Sequence, residues 1–333
     1  MGKATWIREY VALALILVAL VLLFGSLSGR FLTATTFGAI ANRIPTLALA
    51  ATGMTLVLIV GGIDLSIGSV LGLSGAMLGV ALVNWHWPFA VCAALAVGVG
   101  LIAGLANGSL IVGLKVPPFI VTLGMMEMAR GAAYLVTNSQ TKYLGAAVEG
   151  LERPLGGTGL SGSFLLALLV VALAQMLLSG SVLGRWMFAT GSNETATRHS
   201  GIDPRPIKLT AYALTGAAAG LGAVCYTSRL GASDPNAGAG LELSAIAAAV
   251  IGGTSLLGGR GSVINTFFGV LIIATLEAGL AQVGASEPVK RLVTGAVIVL
   301  AVLADAWRQR AAGNTFPLWM RLMGRTDVTA KRP

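Results

Sequence analysis

The residues of this sequence whose types and spacing could do chemistry are polar groups inside long apolar stretches. Glu127 and Arg130 lie three positions apart, which places them on one face of a helix. Ionisable groups within an apolar span are costly and usually functional. This pair either neutralises itself inside a helix bundle, the interpretation we favour, or forms a polar patch facing a solute path. Polar residues in similar settings are Asn107, Gln175, Glu277 and Gln282.

Two glycine-rich turns repeat one pattern. Residues 61–69 read Gly-Gly-Ile-Asp-Leu-Ser-Ile-Gly-Ser, and residues 252–262 read Gly-Gly-Thr-Ser-Leu-Leu-Gly-Gly-Arg-Gly-Ser. Paired glycines interrupt a helix, and an Asp or Ser just beyond them can cap the next one. These turns are either satisfied caps or broken helices that line a pathway or gate. The candidate pathway and gate residues are Gly61, Gly62, Asp64, Ser66, Asn107, Glu127, Gly252, Gly253 and Ser255.

A short capped helix is predicted within residues 181–206. Ser192 or Asn193 can cap it, and it extends to Ser200 with Gly201 as its stop. Its first turn carries an acidic residue and its last turn basic residues, which suits the helix dipole. The segment is either an ordinary surface turn or a helix that docks into a groove of a partner. Signals at both of its ends favour docking.

Motifs for metal binding or nucleotide hydrolysis are absent from the sequence. The two histidines and two cysteines are distant from one another and make no metal site of recognisable spacing. Residues 108–113 match the glycine spacing of a P-loop, but Leu-Lys follows where Lys-Ser or Lys-Thr is required. We therefore expect no catalytic residue, metal or cofactor in this chain. Uphill movement of a solute would need a partner or an ion gradient.

Membrane helices must position these groups. Of the 333 residues, 56% are hydrophobic and 11% charged, less than half the charged share of about 25% in soluble domains. Runs such as residues 11–24 do not alternate as barrel strands do. We predict one all-α transmembrane domain over residues 1–333, a polytopic bundle of about ten helices. The predicted spans are 9–28, 44–60, 66–83, 89–113, 118–137, 163–180, 207–230, 241–257, 262–283 and 289–307.

The distribution of Lys and Arg predicts the orientation. If the N-terminus is cytoplasmic, ten spans return the C-terminus to the cytoplasm, and fourteen Lys and Arg residues fall inside against seven outside. Residues 181–206 then form the longest cytoplasmic loop. Residues 308–333 form a basic cytoplasmic tail that we expect to contact anionic lipid head groups rather than nucleic acid.

Glycines at four-residue spacing predict close helix packing. Gly100, Gly104 and Gly108 share one face, and Gly216 and Gly220 repeat the spacing. We interpret such faces as sites of tight packing, in preference to surfaces along which helices slide during gating.

The chain resembles the permease subunit of bacterial ABC importers for monosaccharides of the ribose, xylose, arabinose and galactose group. The resemblance rests on residues 61–69, 191–202 and 247–262 and extends across nearly the whole chain. It implies a fold like the ten-helix, cobalamin-type permease, located in the bacterial inner membrane. It also implies a permease pair, homo- or heterodimeric, two cytoplasmic ATPase subunits that bind the ATP, and an extracytoplasmic sugar-binding protein.

The resemblance also implies roles for individual residues. The short helix would be the coupling helix, and its ATPase-coupling residues would be Gly191, Asn193, Glu194, Thr197, Arg198, Ser200 and Gly201. His199 departs from the family, which has an apolar residue there. The binding protein would dock on the outer basic residues Lys142, Arg153, Lys290 and Arg291.

Three other functions remain open at this point. An ion-coupled secondary transporter would use buried carboxylates, with Glu127 and Glu277 as candidates. An intramembrane enzyme would need converging catalytic groups. The same importer class could carry branched-chain amino acids, nucleosides or a sugar-like signal molecule, although the turn at residues 61–66 favours sugars.

Overall fold

The computed structural model describes residues 3–156 and 159–311, and this part of the chain is built from α-helices. The helices are α1 Lys3–Leu27, α2 Ala34–Ile59, α3 Ile67–Val83, α4 Phe89–Leu114, α5 Pro118–Thr137, α6 Gly162–Gly180, α7 Val182–Ser192, α8 Glu194–His199, α9 Pro204–Leu230, α10 Leu241–Ile251, α11 Val263–Gln282 and α12 Glu287–Ala311. A 3-10 helix covers Gly145–Leu151, and two short strands, β1 Lys142–Tyr143 and β2 Ala232–Ser233, pair antiparallel.

Seven of the described helices are long and apolar enough to cross a membrane: α1, α2, α4, α5, α6, α9 and α11. Helices α3 and α10 are apolar but shorter, with 17 and 11 residues. The chain is therefore an all-helical, multi-pass membrane protein, as its composition predicts. Each of the ten predicted spans overlaps one helix. Seven of the spans overlap the seven helices named above, and the other three overlap α3, α10 and α12.

Most of the helices differ in their bounds from the predicted spans, and two of the differences have a clear local cause. Helix α2 begins ten residues before the expected position 44, because Pro45 lies inside the helix instead of preceding it. Helix α10 ends at Ile251 and not at 257, because Gly252 and Gly253 follow it and Gly253 has a φ of +82°. The segment expected as a loop from residue 181 contains a further helix, α7. The predicted basic tail lies outside the described residues from position 312 onward.

A glycine seam joins α4 to α9 at the centre of the bundle. A Cβ on Gly100 would overlap the carbonyl of Gly216, and a Cβ on Gly216 would overlap the carbonyl of Gly100. Helix α9 also contacts α2, where the Thr215 hydroxyl donates to the Gly53 carbonyl at 2.8 Å. The close backbone packing predicted from the four-residue spacing is confirmed.

The connection between α9 and α10 runs back into the bundle along α3. Ser233 packs at Gly79, the carbonyl of Ala237 lies against Gly72, and Gly238 packs on Gly68. These contacts follow α3 over eleven residues, or about 16 Å. We call residues 231–240 the descending segment.

Helix α10 consequently starts inside the bundle instead of at its edge. Its 11 residues extend about 16 Å, roughly half the ~30 Å of a bilayer's hydrocarbon core. A half-length helix preceded by non-helical backbone is tolerated in a membrane only where protein or water satisfies the freed polar groups.

Candidate functional site

Asp64, Ser66 and Asn107, predicted from separate parts of the sequence, form one buried cluster. Oδ1 of Asp64 accepts hydrogen bonds from the backbone N–H and the hydroxyl of Ser66, at 2.9 and 2.6 Å. Nδ2 of Asn107 in α4 donates to the Ser66 hydroxyl oxygen at 2.9 Å. The three side chains are buried and line none of the three cavities described below. The cluster therefore fixes the start of α3 against α4.

Three segments distant in sequence meet backbone to backbone at one end of the bundle. The N–H of Gly259 donates to the carbonyl of Ile59 at 2.9 Å. A Cβ on Gly191 would overlap that same carbonyl, and a Cβ on Gly258 would lie 3.0 Å from Cα of Gly61. We call Gly61, Gly191, Gly258 and Gly259 the glycine junction. Each of the three motifs at 61–69, 191–202 and 247–262 contributes to it.

The other predicted turn residues have local structural roles. Gly62 packs against a tyrosine ring of α9, and Gly252 packs against the backbone of α11. Gly253 adopts a left-handed conformation that turns the chain out of α10. Ser255 is buried, and its hydroxyl accepts a hydrogen bond from the N–H of Leu257 at 3.2 Å. These residues shape the two turns, after α2 and after α10, that carry three of the junction glycines.

Helix α8 is the short capped helix predicted from the sequence. Oδ1 of Asn193 accepts a hydrogen bond from the N–H of Ala196 at 2.9 Å, which caps the first turn. The Ser200 hydroxyl donates to the carbonyl of Ala196 at 3.0 Å, and Gly201 ends the helix with a φ of +83°. Thr197 is buried against the protein. The local structure is thus confirmed, whereas the coupling role stays a prediction.

The charged residues of α8 connect it to α9 and leave one face exposed. Glu194 forms ion pairs with Arg198, at 3.4 Å, and with Lys208 of α9. Arg198, His199 and Ser200 are exposed. The helix is therefore tied to the bundle at its first turn and free to contact another molecule at its last.

A cavity of about 370 Å³ lies between α8 and the connection from α4 to α5. Four cationic side chains and one carboxylate line it: Lys115, Arg198, Arg205, Lys208 and Glu194. Clustered charge of one sign raises the local potential and attracts groups of the opposite sign. This groove therefore suits an acidic surface.

The expected neutralisation of Glu127 by Arg130 is wrong for the described residues. Nη1 of Arg130 donates to the carbonyls of Pro235 and Ala237, at 2.7 and 2.9 Å, and these belong to the descending segment. Glu127 is exposed on α5 and lines none of the cavities described here. Two carbonyls inside the bundle offered Arg130 better hydrogen bonds than a carboxylate on the outer face.

The four basic residues predicted to dock a partner lie on three parts of one end of the bundle. Lys142 is in β1, paired in register with Ser233, and Arg153 follows the 3-10 helix, 3.8 Å from Glu149. Lys290 and Arg291 lie in the first turns of α12, each 3.6 Å from Glu287. Their docking role stays a prediction.

Two glutamines noted in the sequence stabilise α11. Oε1 of Gln175 in α6 accepts hydrogen bonds from the Ser262 hydroxyl at 3.2 Å and from the N–H of Val263 at 2.9 Å, at the start of α11. Nε2 of Gln282 donates to the Thr36 hydroxyl at 2.8 Å. The described residues contain no group of three or more His, Cys, Asp or Glu that could hold a metal ion.

A model of the family described as "Branched-chain amino acid transport system / permease component" matches residues 36–302, which include all three junction motifs. The chain belongs to this permease family. The permease is also similar to the ribose import permease protein of Escherichia coli strain K12, with 38% identity over 91% of this chain and 95% of that protein.

Further relatives extend the similarity to other import systems. The permease is 37% identical to the ribose import permease protein of Bacillus subtilis, over 87% of this chain and 90% of that protein. It is 30% identical to the fructose import permease protein of Rhizobium meliloti, over 90% and 85%. It is 34% identical to the autoinducer 2 import system permease protein of Shigella flexneri, over 89% and 87%.

Proposed function

We propose that this permease is the transmembrane subunit of an ATP-driven ABC importer and forms the alternating-access pathway for a monosaccharide delivered by a binding protein. Similarity over about nine-tenths of the chain to permeases named for ribose and fructose import carries this conclusion. Because the relatives are import-system permeases, an ion-coupled transporter and an intramembrane enzyme are not favoured. The autoinducer-2 relative supports one second cargo, a sugar-like signal molecule.

The assembly follows from the same proposal. Two permease copies, identical or different, form a pair in the bacterial inner membrane, each with ten spans in a cobalamin-type arrangement and both termini cytoplasmic. A cytoplasmic ATPase binds the ATP, so the permease itself holds no cofactor and no catalytic residue. An extracytoplasmic binding protein docks on the outer basic residues.

The glycine junction suggests how movement at the ATPase reaches the pathway. Helix α8 follows α7 directly. Gly191 is in the last turn of α7, and it packs on the end of α2. ATP-driven closure of the ATPase pair would displace α8 and with it the junction. Because backbones there are in direct contact, no flexible side chain can absorb the displacement.

Reconstitution into vesicles tests the proposal. We expect labelled D-ribose to accumulate only when the permease is combined with the ATPase and the binding protein encoded beside it, and with ATP present on the cytoplasmic side. Competition by unlabelled fructose, autoinducer-2 or leucine then ranks the cargo. Uphill uptake by the purified permease alone, or uptake that persists with ATP hydrolysis blocked and collapses with an ion gradient, contradicts the proposal.

A further inference from the structure

A cavity with a mixed polar and apolar lining lies at the end of the bundle opposite the glycine junction. Its main part measures about 710 Å³, and a narrower part of about 160 Å³ shares five residues with it. The first size lies within the range of about 300–1,000 Å³ found for small-molecule sites. Five residues line both parts: Arg43, Tyr226, Leu241, Ser244 and Glu277.

The cavity occurs where the fold departs from regular helices. Asn236, Gly238 and Gly240 of the descending segment line it, together with the first turn of α10. Arg130 holds this segment by its hydrogen bonds to the carbonyls of Pro235 and Ala237. The free N–H groups at the start of a helix and an irregular backbone beside it can both hydrogen-bond a solute.

Two charged groups in the cavity wall lack a close ion pair among the described residues. Arg43 of α2 and Glu277 of α11 form no ion pair within 4 Å with any other described residue. Nε of Arg229 is buried without a hydrogen-bond partner in the described part of the chain. Its guanidinium lies 5.7 Å from the centroid of the Tyr226 ring, which holds both side chains in place. Unsatisfied donors and acceptors in a cavity wall are groups that a polar ligand would pair.

The cavity has four cationic side chains and two carboxylates in its wall: Arg43, Arg229, Lys290, Arg291, Glu277 and Glu287. Lys290 and Arg291 at the rim both pair with Glu287 at 3.6 Å. The cavity therefore offers a carboxylate, a guanidinium, an amide and a hydroxyl together: Glu277, Arg43, Asn236 and Ser244. A neutral polyol carries donors and acceptors on every side, and this mixed lining presents both kinds of group to it.

We propose that this cavity is the permease's own solute site, where a monosaccharide released by the binding protein is held by Arg43 and Glu277 before it passes inward. The inference rests on the proposed function and adds the location and the residues. The site need not bind tightly, because the binding protein supplies the affinity. The site therefore contributes to the rate of transport.

Thiol labelling tests whether the cavity is open to water and occupied by sugar. Both native cysteines are buried, so Ser244→Cys introduces the one thiol facing the cavity among the described residues. We expect a membrane-impermeant methanethiosulfonate reagent, added to the complete importer from outside, to modify Ser244→Cys and to react about tenfold more slowly with D-ribose present. Ala248→Cys is the control, because Ala248 lies one turn further along α10 and is buried. Equal labelling of both variants, or labelling unaffected by ribose, overturns the proposal.

Uptake kinetics test the two charged residues. We expect Glu277→Gln and Arg43→Gln each to lower the maximal rate of ribose uptake about tenfold while the loaded binding protein still stimulates ATP hydrolysis. Glu149→Gln is the matched control, because Glu149 is exposed and outside the cavities. Glu277→Asp should recover part of the rate. Uptake by Glu277→Gln equal to that by Glu149→Gln contradicts the assignment.

The two proposals fail in different ways. If the wild-type importer takes up ribose and the cavity variants behave like their controls, the solute site is wrong and the proposed function stands. If the wild type moves no sugar and leucine protects Ser244→Cys, the sugar function and the sugar site are both wrong.

Discussion

The two ends of the bundle are packed in opposite ways. At the glycine junction, three segments are so close that Gly191 has no room for a Cβ beside the Ile59 carbonyl. At the other end, the cavity lined by Arg43 and Glu277 is about 710 Å³ in volume. One helix runs through both regions, since α2 carries Arg43 in its first half and ends beside the junction.

This contrast teaches that backbones are in direct contact at the junction and that helices are spaced apart around the larger cavity. Tight backbone contact permits few intermediate arrangements, so a junction of this kind favours two discrete states over gradual movement. The cavity can adapt because much of its wall is made of side chains, such as those of Arg43 and Glu277. If the junction opens when the cavity closes, the molecule gives alternating access.

The largest effect is expected at the junction itself. Gly191→Ala would place a methyl group against the Ile59 carbonyl, and overpacking of this kind costs about 1–3 kcal/mol. We expect ribose uptake by the complete importer to be nearly abolished. Gly98→Ala is the control, because a Cβ there meets nothing within 4 Å. Normal uptake by Gly191→Ala would show that the close contact is dispensable.

A smaller effect is expected at the buried cluster. Asp64→Ala removes the acceptor of two Ser66 hydrogen bonds and leaves a buried N–H without its partner, at a cost of about 2 kcal/mol. Uptake and the unfolding temperature in detergent should both fall. Asp203→Ala removes an exposed N-cap of α9 and should cost only about 1 kcal/mol. If the two variants unfold at the same temperature, the buried cluster stabilises the fold no more than the exposed cap does.

Helix α8 should separate stability from transport. Arg198 is exposed and its pair with Glu194 is 3.4 Å long, so Arg198→Ala should change the free energy of unfolding by less than about 0.5 kcal/mol. Uptake should nevertheless fall severalfold relative to ATP hydrolysis if α8 contacts the ATPase. Arg185→Ala, an exposed change in α7, serves as the comparison. Unchanged uptake and unchanged stimulation of the ATPase by the loaded binding protein would refute the coupling role.

The smallest effect is expected at the basic residues predicted to dock the binding protein. Arg153 is exposed and 3.8 Å from Glu149, so Arg153→Gln should leave stability nearly unchanged. If the binding protein docks there, its affinity should fall a fewfold, and the difference should disappear at high salt because exposed charges are screened. Affinity that is equal to the wild type at low salt would remove Arg153 from the docking surface.

Local features were predictable from the sequence because neighbouring residues determine them. Asn193 and Gly201 mark the ends of α8 by capping chemistry that operates within one turn. The glycine spacing on α4 predicted the seam because small residues at that spacing share one helix face.

Long-range pairings could not be read in the same way. Arg130 was paired with Glu127 because the two are close in sequence, but its partners are carbonyls about a hundred residues away. Arg43, Tyr226 and Glu277 come from three helices, and no local pattern shows that they line one cavity. The signal that was available for Glu277 and Gln175 was their polarity within apolar helices.

The pairing of the two short strands, β1 and β2, has a mechanical consequence. Lys142 is paired with Ser233, and Ser233 is near the beginning of the stretch that leads down to Gly238. A protein that pressed on the loop around Lys142 would therefore also displace Ser233. The displacement would reach residues 235–238, which Arg130 holds by its two hydrogen bonds. If the binding protein docks there, its docking would change the shape of the cavity before any ATP is hydrolysed.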